Sequence, residues 1–119
     1  MNPDNGPDTD CPDGLKWSGR RLWQATIAEY ELTEHETNLL LQACRTVDVL
    51  DLLAAHVDVD GPIIDGPSGL RTHPALIELR QQRIALARLL AALGLPTGVA
   101  DDGPKKQRRS VRGVYAVGL

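Results

Sequence analysis

The chain has 119 residues, 42% hydrophobic and 24% charged, with a formal net charge of −3. That balance suits one domain with a modest core and excludes wholesale disorder. Phe is absent and only two Trp and two Tyr occur. The core must therefore come from Leu, Ala, Val and Ile, a helical-bundle palette rather than a β-sandwich one. No run of 18 apolar residues appears, so no membrane span is expected. The acidic start lacks the basic-then-apolar order of a secretory signal. Cys11 and Cys44 fit neither a disulfide framework nor a zinc site, which points to a reducing cytoplasm.

Charge is segregated along the chain. Residues 1–14 carry four Asp and no base, and residues 15–24 carry Lys16, Arg20 and Arg21 with no acid. Residues 25–60 then set eight acids against Arg45 alone. Near the end, 105–112 reads KKQRRSVR, five cations in eight positions. Such a block is either a solvated tail or a polyanion contact, since each cation near a phosphate releases condensed counterions. Local potential rather than pI decides between them.

In chain order, residues 1–14 are Pro, Asp, Asn and Gly with almost nothing apolar, and are expected to be disordered. A first helix is predicted from about Ser18, as N-cap, to Tyr30, with Leu22, Trp23, Ile27 and Tyr30 on one face. Thr33 and Glu36 then form a capping box, the best-defined boundary in the chain. Glu34 and Glu36 also suit the positive end of the helix dipole. The second helix runs to about Val57, with Leu39, Leu40, Ala43, Val47, Leu50, Leu53, Ala54 and Val57 in one apolar stripe. Residues 58–72 hold three Gly and two Pro in their DVDGPIIDGPSGLRT and read as a connector, in which Ile63, Ile64 and Leu70 suggest a small β-hairpin. Pro74 opens a third helix that Gly94 and Pro96 close. Its inner face is expected to carry Leu76, Leu79, Leu86, Leu89, Leu90 and Leu93. From residue 96 onward a flexible basic tail is expected.

The fold class expected is therefore all-α: a short N-terminal helix and a long antiparallel helical hairpin over residues 15–95, with a possible small β-hairpin in the connector. Both long helices carry more apolar surface than one seam hides. Leu41, Val49 and Leu52 lie opposite the first stripe, and Ile77 and Ile84, flanked by Arg80 and Arg88, lie opposite the second. Their recurrence at helical spacing favours a subunit contact over scattered exposed aliphatics.

Catalytic motifs are missing: no P-loop, GxGxxG or GxSxG occurs. His35, His56 and His73 are far apart and lack partners at metal-ligand spacing. Asp58 and Asp60 precede Gly61 but lack the rest of a calcium loop. Cys44, between Leu40 and Val47, reads as a buried inert thiol. No catalytic residue, metal or cofactor is assigned, and an enzyme is not expected. A helix–turn–helix reading fails because the would-be recognition helix starts with Glu34 and Glu36, which repel phosphate at both groove walls. Cationic candidates lie elsewhere: Lys16, Arg20 and Arg21, then Arg71, Arg80 and Arg88, then the 105–112 block. Arg80 and Arg88 read equally well as snorkelling or pairing across a subunit seam.

Three stretches together resemble the small terminase subunit of tailed bacteriophages: the segment from Gly19 to Leu53, the Gly-rich connector, and the segment from His73 to Pro96. The most specific parts are Leu22-Trp23, Tyr30-Glu31-Leu32, His73-Pro74-Ala75-Leu76 and Leu93-Gly94-Leu95-Pro96. The resemblance implies a non-enzymatic DNA-packaging factor acting in the cytoplasm of an infected bacterium. It implies a homo-oligomeric ring that binds double-stranded viral DNA at the packaging start site. It also implies regulation of the large terminase subunit, which holds the ATPase and nuclease. The chain departs from many relatives in lacking a separate helix–turn–helix domain ahead of the hairpin.

Joined to the charge pattern, this assigns DNA contact to Lys16, Arg20, Arg21, Lys105, Lys106, Arg108, Arg109 and Arg112. Leu41, Val49, Leu52, Ile77, Arg80, Ile84 and Arg88 are assigned to the oligomer interface. Val114, Tyr115 and Val117 in the final VRGVYAVGL form a candidate docking strand for the large subunit. Two rival functions remain at this point: a small helical phage or prophage transcription regulator, and a helical adaptor that touches no DNA.

Overall fold

A computed structural model of the chain describes residues 11–96. Its elements in order are α1 (Trp17–Glu29), α2 (Glu34–Asp60), β1 (Ile63–Gly66), β2 (Gly69–Thr72) and α3 (Pro74–Leu93). Residues 1–10 and the assigned positions Lys105, Lys106, Arg108, Arg109, Arg112, Val114, Tyr115 and Val117 lie outside the described residues. Among those described, no helix is long and apolar enough to cross a membrane.

The α2–α3 hairpin is built by a heptad seam on each helix. On α2, positions 36, 40, 43, 47, 50, 54 and 57 alternate steps of four and three, and every one is buried or half-buried. On α3 the matching set is 75, 79, 82, 86, 89 and 93. Seams of this period keep two long helices in register as they wind about each other. Leu40, early in α2, shares a core cluster with Leu93 at the end of α3. At the opposite end Asp60 bonds His73. The helices therefore run antiparallel.

The narrower seam corrects one expectation. Leu90 lies beside the α3 heptad rather than in it and is exposed. The inner face expected for α3 included it; the 3.5-residue repeat turns it out to solvent.

Helix ends follow local chemistry. Thr33 Oγ1 accepts from Glu36 N at 3.2 Å while Glu36 Oε1 accepts from Thr33 N at 2.9 Å, closing the expected capping box. A cap of this kind stabilises a helix by about 1 kcal/mol. The far end of α2 passes the expected Val57 by one turn and stops where Gly61 takes φ +85°. Pro74 occupies the first turn of α3, His73 Nδ1 accepts from Ala75 N at 3.0 Å, and Gly94 closes the helix at φ +72°. Because Nδ1 accepts, Nε2 carries the proton and donates to Asp60 Oδ2 at 2.9 Å. The connector hairpin forms with Ile63 opposite Thr72, Ile64 opposite Arg71 and Asp65 opposite Leu70, around a two-residue Pro67-Ser68 loop.

Helix α1 crosses the hairpin where α2 begins and α3 ends. Trp23 and Leu15 enter the cluster of Leu40, Cys44 and Leu93. Trp23 Nε1 is buried with no hydrogen-bond partner among the described residues, so the ring is held by apolar contact alone. Packed chain begins before the expected boundary at 15, because Cys11 is half-buried against this cluster. Ser18 is not the N-cap of α1. Lys16 holds that position with no side-chain cap, and the missing acceptor comes from α2. Asp48 Oδ2 accepts from Lys16 N and Oδ1 from Gly19 N, each at 2.7 Å. Ser18 Oγ donates to Asp51.

Close approach of α1 to α2 depends on Gly19. A Cβ there would collide with Asp48 Oδ2 and lie 2.7 Å from the Cys44 carbonyl oxygen, a backbone atom that cannot swing aside. Helix propensity alone says that Gly19→Ala gains about 1 kcal/mol. Overpacking predicts the opposite sign, a loss of about 1–3 kcal/mol in urea unfolding.

Cys44 is fully buried, and burial first, then Asp48 and Cys11, push its thiol up to about 12. Thiolate is the reactive form. Native chain at pH 8 should therefore leave Cys44 unmodified by a thiol reagent until urea unfolds it. Since the unfolded value is 9.0, proton linkage lowers native stability as pH rises through 9 toward 12, a loss measurable in urea titrations.

Candidate nucleic-acid interface

The entry to α1 gathers the described members of the cationic set. Lys16 and Arg21 are exposed and Arg20 is half-buried. The guanidinium of Arg21 stacks over the ring of Trp17, 4.7 Å from its centroid, one helical turn away. Trp17 is 69% exposed, so the pair presents a planar cation above a bare indole. Such stacking contributes about 0.5–1 kcal/mol at an exposed site and limits where Arg21 can point. Sequence reasoning missed Trp17, although its i, i+4 spacing to Arg21 was a usable signal.

Segregation of charge along the chain does not survive folding. The acid-free stretch 15–24 receives Asp48 and Asp51 from α2 at hydrogen-bonding distance. These carboxylates already occupy the positive end of α1. The N–H groups of Lys16 and Gly19 thus face protein, and the exposed cations at this end are the side chains of Lys16 and Arg21. Arg71, Arg80 and Arg88 are exposed as well, well away in sequence from the α1 entry. Glu36 is buried in its capping box, so of the two acids expected to face phosphate at the start of α2 only Glu34 is exposed.

The residues assigned to self-association divide. Leu41 is half-buried and packs against the core cluster, because α1 covers that flank of α2; it belongs to the fold rather than to a free face. Val49, Leu52, Ile77 and Ile84 are all exposed, Leu52 by 59%. Arg80 and Arg88 are exposed beside the two Ile residues. Val49 and Leu52 form the apolar floor of an open groove of about 500 Å³, bordered by Gly14, Lys16, Arg45, Asp48 and Asp51. One depression thus joins a residue assigned to DNA with two assigned to a neighbouring subunit.

Further bare aliphatics surround the connector: Val59, not identified from the sequence, and Ile63 and Leu70, expected there only as strand residues. His35 and His56 are exposed, whereas His73 is buried in the α3 cap. Among the described residues no group of three His, Cys, Asp or Glu side chains could hold a metal ion. No known family model, curated protein or solved structure matches this chain.

Proposed function

We propose that the chain is a non-catalytic DNA-packaging subunit of the terminase small-subunit type. Copies assemble into a ring that binds double-stranded viral DNA and presents it to the large subunit. One observation carries this reading: the α2–α3 seam consumes one face of each helix and leaves Val49 and Leu52, Ile77 and Ile84 bare on the others. Exposed aliphatics recurring on two rigid rods are what a subunit contact requires.

Each subunit alone has a weak cationic surface, because Asp48 and Asp51 offset the α1 entry. A ring repeats Lys16, Arg21 and the 105–112 block at fixed spacing, so phosphate contacts add through multivalency. Specificity then comes from DNA curvature and deformability more than from base edges. Val114, Tyr115 and Val117 are the proposed docking strand for the large subunit. The operator-reading regulator is disfavoured by the exposed Glu34 at the start of α2, and the pure adaptor by the exposed Arg21–Trp17 pair.

Native mass spectrometry of the purified chain should give a closed oligomer, and a monomer at high concentration would remove the ring. DNA affinity should fall steeply with salt. Reversing Lys105, Lys106, Arg108 and Arg109 to Glu should flatten the slope of log K against log salt by roughly three to four. An unchanged slope would take that segment out of the interface.

A further inference from the structure

The connector hairpin and the α1–α2 groove are complementary, and we propose that the β1–β2 arm of one copy docks in the groove of the next. This inference rests on the assembly reading above and adds to it which surfaces meet.

The arm has one partly covered face and one bare face. Side chains alternate along a strand, and the register places Ile63, Asp65, Leu70 and Thr72 together on one side. On the other side Ile64 is half-buried and the Arg71 stem lies so close over Gly66 that a Cβ there would meet its Cδ at 2.5 Å. The first side is open: Ile63 is 55% and Leu70 74% exposed. A two-stranded ribbon is marginal in water by itself, so four residue pairs with a bare apolar face gain most from being covered.

The groove offers the matching surface. Its floor is Val49 and Leu52, and its volume of about 500 Å³ admits several aliphatic side chains. Charges match as well. Asp48 is engaged by two backbone N–H groups and Asp51 by Ser18. Lys16 and Arg45, on the rim, have no side-chain partner among the described residues, and on the arm Asp65 has none either. Seating Ile63 and Leu70 on Val49 and Leu52 brings an unpaired carboxylate to two unpaired cations.

The contact is made between copies. Within one chain the arm face and the groove are exposed together, so neither covers the other. The root of the arm is pinned: His73 N donates to the Pro62 carbonyl at 2.8 Å, and His73 Nε2 to Asp60 at 2.9 Å. Gly61 also lies roughly 18 Å beyond Val49 along the axis of α2. Every copy carries one arm and one groove, which makes the contact heterologous; it closes into a ring when the rotation per subunit allows.

Sedimentation of the full-length chain decides the matter, with circular-dichroism melting as the check on folding. Leu70→Asp should raise the self-association Kd at least about tenfold, since a seated Leu is lost, and should leave melting unchanged when both chains are compared diluted below the wild-type Kd, where position 70 is exposed in either. Asp65→Arg should weaken association, and the double variant Asp65→Arg with Arg45→Asp should recover most of it. Wild-type assembly by Leu70→Asp and Asp65→Arg would overturn the arm contact. If Ile84→Asp disperses the assembly while Leu70→Asp does not, the arm proposal fails and the ring reading stands on α3. Assembly that survives Leu70→Asp but is lost on Arg45→Asp puts another segment in the groove and also overturns the arm. A wild-type chain that stays monomeric sinks both readings.

Discussion

Asp48 holds α1 on the hairpin by accepting the backbone N–H groups of Lys16 and Gly19 with its two carboxylate oxygens. Charge-assisted bonds to a helix start are among the stronger polar contacts in a fold. Here they act only because Gly19 lets the two helices approach to where a Cβ would collide. From that contact follow the burial of Trp23 over Leu40 and Cys44, the covering of Leu41, and the position of the Lys16 side chain. The groove at Val49 and Leu52 begins where α1 stops covering α2. Loss of this one contact would disturb core, groove and cationic entry together.

The hairpin settles how much surface is left for partners. A heptad seam hides a narrow strip, and each of these helices is apolar over a wider arc. α1 covers part of the excess on α2 near its start, whereas the excess on α3 around Ile77 and Ile84 stays open. Under the assembly proposed above, the cover for these leftover faces is another copy, which has the same surplus to hide.

Local signals in the sequence resolved well. The Thr33–Glu36 box, Pro74 with His73 before it, Gly94, and the Gly-Pro turn of the arm each act within a few residues, so composition was enough to place them. The cap of α1 was misread for the complementary reason. Its acceptor lies 32 positions away at Asp48, and nothing near Ser18 signals that a carboxylate from another helix will take the capping role. Leu41 and Leu90 exchanged their expected environments because burial depends on which neighbour crosses where. A 100° wheel drawn on one helix does not contain that information. The candidate site was half legible: the cationic residues at the α1 entry are visible as letters, while the acids folded against them are not.

That last difference bears on how nucleic acid would be held. Read linearly, residues 15–24 form an acid-free positive segment; folded, the same segment sits on Asp48 and Asp51. Coulomb attraction to a phosphate falls when a carboxylate lies within a few ångströms of the cation, and salt screens the remainder within about 8–10 Å. One subunit therefore offers Arg21, steadied by Trp17, and the side chain of Lys16. Under the arm-in-groove arrangement Lys16 and Arg45 also face the neighbour's Asp65, which draws Lys16 further from DNA. Subunit contact and DNA contact then compete for the same cation. In such an assembly Arg21 keeps its outward position, and the burden of phosphate contact moves away from Lys16 to groups that the subunit interface leaves alone.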